Sequence, residues 1–253
     1  MSNNEIIIRE CHAPREFDMC VELQKKVWQF DDVDVIPKRM FVVATKIGGQ
    51  VLGAFDGEEM VGFTLAIPGS KDGNSYLHSH MLAVKESHRN SGLGRKLKLA
   101  QRELAIVAGY DLMEWTFDPL EIKNAYLNIA KLGAIARRYL PNHYGDSSSP
   151  LQGGLPTDRL VAEWWLNSKR VTDLLIKGKF EFPAQSLAIK VPAQVYEWKS
   201  NKATRTKAEE VQMNNRELFL DLLAKGMSVV GYEKSDAGDG IFLLGKLADG
   251  QIG

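Results

Sequence analysis

An apolar segment, a glycine turn and a helix-forming segment follow one another without a gap in LAVKESHRNSGLGRKLKLAQ, residues 82–101. The core of this stretch, RNSGLG at residues 89–94, has the form R-x-x-G-x-G. Glycine accepts positive φ, which lets successive backbone N–H groups point into one concavity. A helix that opens there adds its unpaired N–H donors and the positive end of its dipole. The stretch therefore predicts a strand, an anion-binding turn and a helix, with phosphate as the best-suited ligand.

Three other phosphate-binding motifs contain similar glycines but fail at specific residues. A Walker A loop needs a lysine and then a serine or threonine, whereas Gly94 is followed by Arg95 and Lys96. A dinucleotide-binding fingerprint needs a third glycine or an alanine where Leu97 stands. A kinase glycine loop lies across a hairpin and does not open a helix. On the six residues alone, a purely structural joint between strand and helix remains the alternative.

The helix after the turn is predicted from about residue 94 to residue 108, with two different faces. Its apolar face comprises Leu97, Ala100, Leu104 and Val107. Its opposite face carries three basic residues, Arg95, Lys98 and Arg102. We expect this basic face to be exposed beside an anionic ligand. Nucleic acid is disfavoured as that ligand because the chain has no net charge and no interleaved aromatic residues on this helix.

The rest of the chain alternates short β-branched segments with helix-forming segments. Strands are predicted at residues 5–10, 50–55, 60–67, 76–84, 111–117, 134–140, 158–167, 186–192, 228–234 and 240–246. Helices are predicted from Pro14, at 38–47, 94–108, 120–133 and 168–177, and around 216–224. This order predicts an α/β (α+β) fold with a mixed sheet. We expect one domain over residues 1–167 and a smaller C-terminal α/β extension over residues 168–253.

Composition indicates an ordinary soluble globular protein, with 44% apolar and 25% charged residues. Lys+Arg and Asp+Glu are equal at 32 each, which places nucleic-acid binding low among the function classes. The two cysteines, Cys11 and Cys20, have no spacing that suits zinc, so no metal is expected. The N-terminus lacks the pattern of a signal peptide, and no apolar stretch approaches the length of a membrane span. We expect a cytoplasmic protein without a membrane partner.

The strand, turn and helix around residues 89–94 resemble motif A of the GNAT superfamily, the acyl-CoA-dependent N-acyltransferases. The family pattern, [Q/R]-x-x-G-x-[G/A] between the fourth strand and the third helix, is matched in the same context. Downstream, NAYLNIAKLGAIARRYLPNHYG at residues 124–145 is similar to the family's motif B, although the match is looser. The resemblance covers roughly residues 5–167.

The resemblance implies acetyl-CoA as co-substrate and assigns backbone contacts to it. Leu82, Ala83 and Val84 would pair with the pantetheine arm like an added strand, although simple core burial also explains their side chains. A splay between the strands at 76–84 and 111–117 would admit the thioester. The diphosphate would bind the amides of Arg89, Asn90, Ser91, Gly92, Leu93, Gly94 and Arg95. Asn124 and Asn128 would either bond the pantetheine or cap the chain locally.

Acyl transfer to an amine needs a base, oxyanion donors and a proton for the leaving thiolate. The family's oxyanion donor is a backbone N–H, which would lie near residues 81–83. The candidate bases are Glu114 first, then His80 and Asp118, each with a structural alternative as a surface carboxylate, a cross-strand pair or a helix cap.

The family's general acid is a tyrosine four residues before the motif B glycine, where this chain has Ile129. Tyr126 is the nearby substitute that we select, with Tyr139 and Tyr144 as further candidates. The departure keeps a non-catalytic acyl-CoA sensor as the alternative function, and a different nucleotide or phosphate ligand as a third.

The acceptor is expected to be a small-molecule amine or a peptide amine. The acidic loop DDVD at residues 31–34 would attract such a cation, although a solvated surface loop is the more ordinary interpretation. The C-terminal extension would extend the sheet or cover the acceptor side, and it would set acceptor choice or form a homodimer.

Overall fold

The computed structural model describes residues 5–29, 31–180 and 186–247. Contacts divide the chain into two compact units, residues 1–113 and residues 114–253. This division does not test the expected domain boundary after residue 167, which stays a prediction. The alternation of strands and helices in both units confirms the α/β class.

Four antiparallel strands form the sheet of the first unit, in the order β1-β2-β3-β4. They are β1 (Ile7–Glu10), β2 (Gln50–Asp56), β3 (Glu59–Lys71) and β4 (Asn74–Val84). The unit's helices are α1 (Pro14–Trp28), α2 (Lys38–Lys46) and α3 (Leu93–Val107). Strand β5 (Leu112–Phe117) begins at the C-terminal end of this unit.

The two faces of this sheet are covered by different helices. On one face, α1 and α2 pack through aromatic rings, with Phe41 6.2 Å from Phe17 and 5.8 Å from Phe63 of β3. On the other face, Leu93 and Leu97 of α3 belong to a separate apolar cluster with residues of β2 and β3. The sheet is therefore the middle layer of a three-layer unit.

Six strands form the sheet of the second unit, in the order β5-β7-β6-β9-β10-β8. The strands after β5 are β6 (Ile135–Leu140), β7 (Arg159–Trp165), β8 (Leu187–Val191), β9 (Ser228–Lys234) and β10 (Gly240–Gly245). The helices are α4 (Ile122–Ala125, continued as a π-helix at Tyr126–Lys131), α5 (Lys169–Lys177), α6 (Val195–Ser200) and α7 (Arg205–Ala224). Because Ala136 of β6 pairs with Val229 of β9, the C-terminal segment extends the sheet of this unit.

Three local predictions differ from the structure. The strands predicted at residues 60–67 and 76–84 left residues 70–75 as a loop, but β3 and β4 continue to a tight turn at Asp72 and Gly73, both of which have positive φ. Helix α7 begins at Arg205, well before the predicted residue 216, and helix α6 was not predicted. The predicted segments were too short because α7 carries polar residues on several sides, which weakens its apolar periodicity.

Candidate functional site

The turn between β4 and α3 has the backbone geometry that its glycines predict. Gly92 is the N-cap of α3 with φ of 83°, and Asn90 also lies in the left-handed region with φ of 62°. The Ser91 hydroxyl donates to the carbonyl of His88 at 2.6 Å, which closes the turn on itself. Glycine adopts the N-cap conformation without strain, whereas most residues would not.

Four backbone N–H groups of this turn have no hydrogen-bond acceptor among the described residues. They belong to Asn90, Ser91, Gly92 and Gly94. The direction in which a Gly92 side chain would project contains no atom within 4 Å, so the turn opens to free space. Unpaired N–H groups at the start of the 15-residue helix α3 form a concentrated positive potential.

Basic side chains surround this turn. Arg89 and Lys96 are exposed, and Arg95 is half-buried. Arg89 Nε donates to the carbonyl of Val84 at 3.3 Å, which ties this side chain to the last residue of β4. The chemistry of the donor set, neutral amides together with guanidinium and ammonium groups, fits a phosphate or diphosphate anion.

The last three residues of β4 direct their side chains into the two apolar clusters. Ala83 is buried on the α1–α2 face, and Leu82 and Val84 pack against the α3 cluster. Any contact of these residues with a ligand would therefore be made by their backbone, as the resemblance implies. The Val84 carbonyl already accepts from Arg89.

Strand β4 contains a β-bulge at His80. Met81 pairs with Leu65 and Ser79 pairs with Ala66, which leaves His80 without a cross-strand partner in β3. The His80 ring lies 5.9 Å from the ring of His78. Desolvation by neighbouring atoms lowers the pKa of His80 below its ordinary value, although more than a third of the residue remains exposed. A histidine in this state is neutral near pH 7 and can accept a proton.

The predicted basic face of α3 is wrong at two of its three residues. Lys98 is 2% exposed and Arg102 is 9% exposed, whereas Val107 of the predicted apolar face is 86% exposed. Lys98 Nζ donates to Ser79 Oγ at 2.8 Å and to Gln101 Oε1 at 3.1 Å. Burial lowers the pKa of Lys98 well below its ordinary value. Of the basic residues considered for this surface, Arg89 and Lys96 are exposed and Arg95 is half-buried.

The second unit holds the other predicted site residues. Glu114 of β5 is buried and accepts a hydrogen bond from Arg138 of β6. This contact is made through Oε1 of Glu114 and fixes the orientation of the carboxylate.

Tyr126, the predicted general acid, begins the π-helix and contacts two cations, with Lys234 Nζ 4.3 Å and Lys131 Nζ 5.1 Å from its ring centre. Asn128 Nδ2 donates to Asn124 Oδ1 at 3.2 Å, so these two predicted residues contact each other.

Three further candidates are engaged in local structure. Asp118 accepts from the backbone N–H of Leu120 at 2.8 Å and from Lys199 at 3.1 Å. It is not the helix cap considered as its alternative, because the N-cap of α4 is Glu121. Tyr139 donates to Asp158 at 2.6 Å. The pKa of its hydroxyl is raised, first by burial and second by this hydrogen bond. The hydroxyl of Tyr144 lies 2.8 Å from that of Thr116.

Two features of the site regions were not predicted from the sequence. The first is the burial of Lys98, and the second is a cluster in which Arg137 and Arg138 of β6 share Glu163 of β7. Two consecutive arginines in an otherwise apolar strand were the available signal for the second. Strict alternation would have placed these arginines on opposite faces.

Within the described part of the chain, no three His, Cys, Asp or Glu side chains are grouped so as to hold a metal ion. None of the described helices combines the length and the apolar character needed to cross a bilayer.

Comparison with known proteins identifies the part of the chain that carries the turn. Residues 15–122 match the family model "Acetyltransferase (GNAT) family". A comparison with curated proteins finds no match.

Solved structures share the fold at low sequence identity. Salmonella typhimurium yncA, solved with its cofactor acetyl-CoA, is 16% identical over 71% of this chain and 98% of its own, with a TM-score of 0.52. An acetyltransferase of the GNAT family from Streptococcus pneumoniae is 17% identical over 63% and 98%, with a TM-score of 0.51. The ribosomal-protein-S18-alanine N-acetyltransferase from Escherichia coli is 12% identical over 63% and 92%, with a TM-score of 0.50.

Proposed function

Residues 15–122 belong to the acetyltransferase (GNAT) family, and from this membership we propose that the protein transfers an acetyl group from acetyl-CoA to an amine. The observation that carries the proposal is the set of four unpaired backbone N–H groups at Asn90, Ser91, Gly92 and Gly94. They lie among basic side chains, and the space beside Gly92 is open, as a diphosphate site requires. The relative from Salmonella typhimurium, solved with acetyl-CoA, supports the choice of co-substrate.

The chain's own residues have distinct tasks in this proposal. The turn amides with Arg89 and Arg95 bind the diphosphate and so fix the co-substrate, which supplies an acyl group activated as a thioester. His80 accepts a proton from the attacking amine, because its lowered pKa keeps it neutral at physiological pH. The bulge at His80 changes the direction of the β4 backbone at the point where the family places its oxyanion donor.

Calorimetric titration with acetyl-CoA tests the binding step. Gly92→Glu is expected to abolish binding, because its carboxylate would project into the phosphate position. Gly109→Glu is a matched control, since Gly109 also has φ of 83°, has no atom within 4 Å of the place that a Cβ would occupy, and lies at the other end of α3. Both variants carry the same backbone strain, so loss of affinity only in Gly92→Glu isolates the turn. Equal affinity in the two variants would contradict the proposal.

The second candidate function is an acyl-CoA sensor without turnover. It is favoured by Ile129, which is fully buried where the family's acid tyrosine is expected. Thiol release measured against a library of amines separates the two functions. Turnover of any amine above the hydrolysis background excludes the sensor. Protection against heat by ATP but not by coenzyme A would exclude both functions and indicate a different nucleotide ligand.

We further propose that the protein acts in the cytoplasm. Cys11 and Cys20 are free and buried thiols, as expected in a reducing compartment.

A further inference from the structure

The cluster of two arginines and two glutamates in the second unit begins with a β-bulge in β6. Ala136 pairs with Ala162 of β7 and Arg138 pairs with Val161, so Arg137 is the additional residue of the bulge. Consecutive strand residues normally face opposite sides of a sheet. Here both arginines reach Glu163 of β7, with Arg137 Nε 3.0 Å and Arg138 Nε 3.5 Å from its carboxylate oxygens. The bulge therefore brings two guanidinium groups to one place.

The acids of this cluster are buried and the arginines are not. The side chains of Glu163 and Glu114 are 3% and 10% exposed, whereas those of Arg137 and Arg138 are 43% and 35% exposed. Burial alone would lower the pKa of Arg138, but the hydrogen bond and charge of Glu114 and the charge of Glu163 raise it. The buried carboxylates thus fix the orientation of the more exposed guanidinium groups and keep them charged.

Each arginine keeps donors that the cluster does not use. Arg137 contacts Glu163 through Nε and Nη2, and Arg138 contacts its two glutamates through Nε and Nη2. Neither Nη1 group has a partner among the residues that the structure describes. A guanidinium held along one side presents its remaining N–H donors in a planar fork, which matches a carboxylate better than it matches a single-point acceptor.

The cluster lies on a polar face of the sheet. Thr116 lies two residues after Glu114 on β5, and its hydroxyl is 2.8 Å from that of Tyr144. Arg159 of β7 lies 5.3 Å over the Tyr144 ring. The two arginines and two glutamates of the cluster balance in formal charge, so the unused N–H donors, rather than a net charge, favour an anion here. The opposite face is apolar, because Trp115 and Trp164 pack edge to face at 6.0 Å.

We propose that Arg137 and Arg138 bind a carboxylate group of the acceptor, so that the acceptor is an amino acid or a peptide with a free carboxylate near its amine. This inference rests on the proposed acetyl transfer for the identity of the ligand as an acceptor. The carboxylate is recognised by the two Nη1 groups, and Glu114 and Glu163 are positioning residues for them.

The experiment compares free amino acids and dipeptides with the corresponding carboxamides, using the full chain. Binding is measured by saturation-transfer NMR in the presence of coenzyme A, and turnover by thiol release with acetyl-CoA. We expect at least one acid to be preferred over its amide by about tenfold or more, the usual effect of a hydrogen bond to a charged group. Arg138→Gln is expected to reduce this preference to within about twofold of unity without changing the affinity for coenzyme A.

Two further variants separate recognition from folding. Arg138→Gln leaves Glu114 buried without its partner, so the double variant Arg138→Gln with Glu114→Gln is measured beside it, and circular dichroism confirms folding. Lys225→Gln, which removes a positive charge from the exposed end of α7, is expected to keep the full preference.

Four outcomes would overturn the inference: no binding of any acid, no preference for acids in the unaltered protein, a preference retained in the folded Arg138 variants, or weakened binding of coenzyme A but not of its 3′-dephospho form. The last would assign the arginines to the cofactor. A protein that fails to bind acetyl-CoA yet prefers acids through Arg138 would instead contradict the proposed function alone.

Discussion

Lys98 allows a sharp test of how burial acts on a charged group in this fold. Its ammonium nitrogen contacts Ser79 Oγ, Gln101 Oε1 and Met113 Sδ, and the residue is 2% exposed. The perturbation is Lys98→Met, which conserves length and approximate volume while removing the charge. The Ser79 hydroxyl donates to Gln101 Oε1 at 2.8 Å, so that acceptor keeps a partner in the variant.

The sign of the pH dependence follows from the lowered pKa of Lys98. The unfolded chain takes up this proton below pH 10.5, whereas the folded chain takes it up only at a lower pH. Folding therefore releases a proton between the two pKa values, and the stability of the unaltered protein rises with pH across that window. The contribution of one group is at most about 1.4 kcal/mol per pH unit. Lys98→Met removes this contribution.

The stability advantage of the variant is therefore expected to be largest at neutral pH and to shrink as the pH approaches 10.5. At the alkaline limit, loss of hydrogen bonds from a neutral amine should leave the variant less stable by about 1 kcal/mol. The assay is urea denaturation of both proteins at several values between about pH 7 and pH 10, without ligand. Titration of all other groups cancels in the difference.

Lys96→Met is the control, because Lys96 lies on the same helix but is exposed. Its effect on stability at each pH measures what the loss of an exposed lysine from this helix does. A difference between Lys98→Met and the unaltered protein that varies with pH no more than the difference for Lys96→Met would refute the reasoning. It would show that the ammonium of Lys98 is stabilised as a charged group in the folded protein.

Two further predictions concern a proton acceptor and a buried ion pair. His80→Gln is expected to lower kcat by about 10²–10⁴-fold. It should also remove the acid limb of the kcat/KM profile, whose midpoint lies below pH 6.5, because the base form of His80 exists only above its pKa. An unchanged pH profile would exclude His80 as the base. Arg216→Met is expected to destabilise the protein by about 3–5 kcal/mol, because Asp158 is fully buried and accepts from Arg216 at 2.8 Å. Urea denaturation measures the loss of stability. A loss no larger than that of Lys225→Gln would contradict the prediction.

The elements that could be predicted from the sequence are those with a local cause. The turn at residues 89–94 carries its own glycines, and the hairpin after β2 carries Gly57 with φ of 60°. The burial of Lys98 has no local cause, because its partner Ser79 is on another element. A basic residue on an amphipathic helix is ordinarily exposed. Gln101 on the same helix is one acceptor, but the tertiary structure must supply the second, Ser79, for this lysine to be buried.

The bulge at His80 explains how Ser79 reaches Lys98. Met81 and Ala83 pack on the α1–α2 face, and by strict alternation Ser79 would lie on that face too. Instead Ser79 bonds Lys98 of α3 on the opposite face. The additional residue of the bulge reverses the alternation between positions 79 and 81.

The buried lysine therefore depends on the bulge. Without the reversal, Lys98 would face a strand that offers no hydroxyl at this position. The converse does not follow, because Ser79 also bonds Gln101 and keeps that partner without Lys98. The same device recurs in β6, where the bulge at Arg137 brings two arginines to one carboxylate. In each unit, a register shift between paired strands positions the ionisable groups, and no pattern within a single strand reveals it.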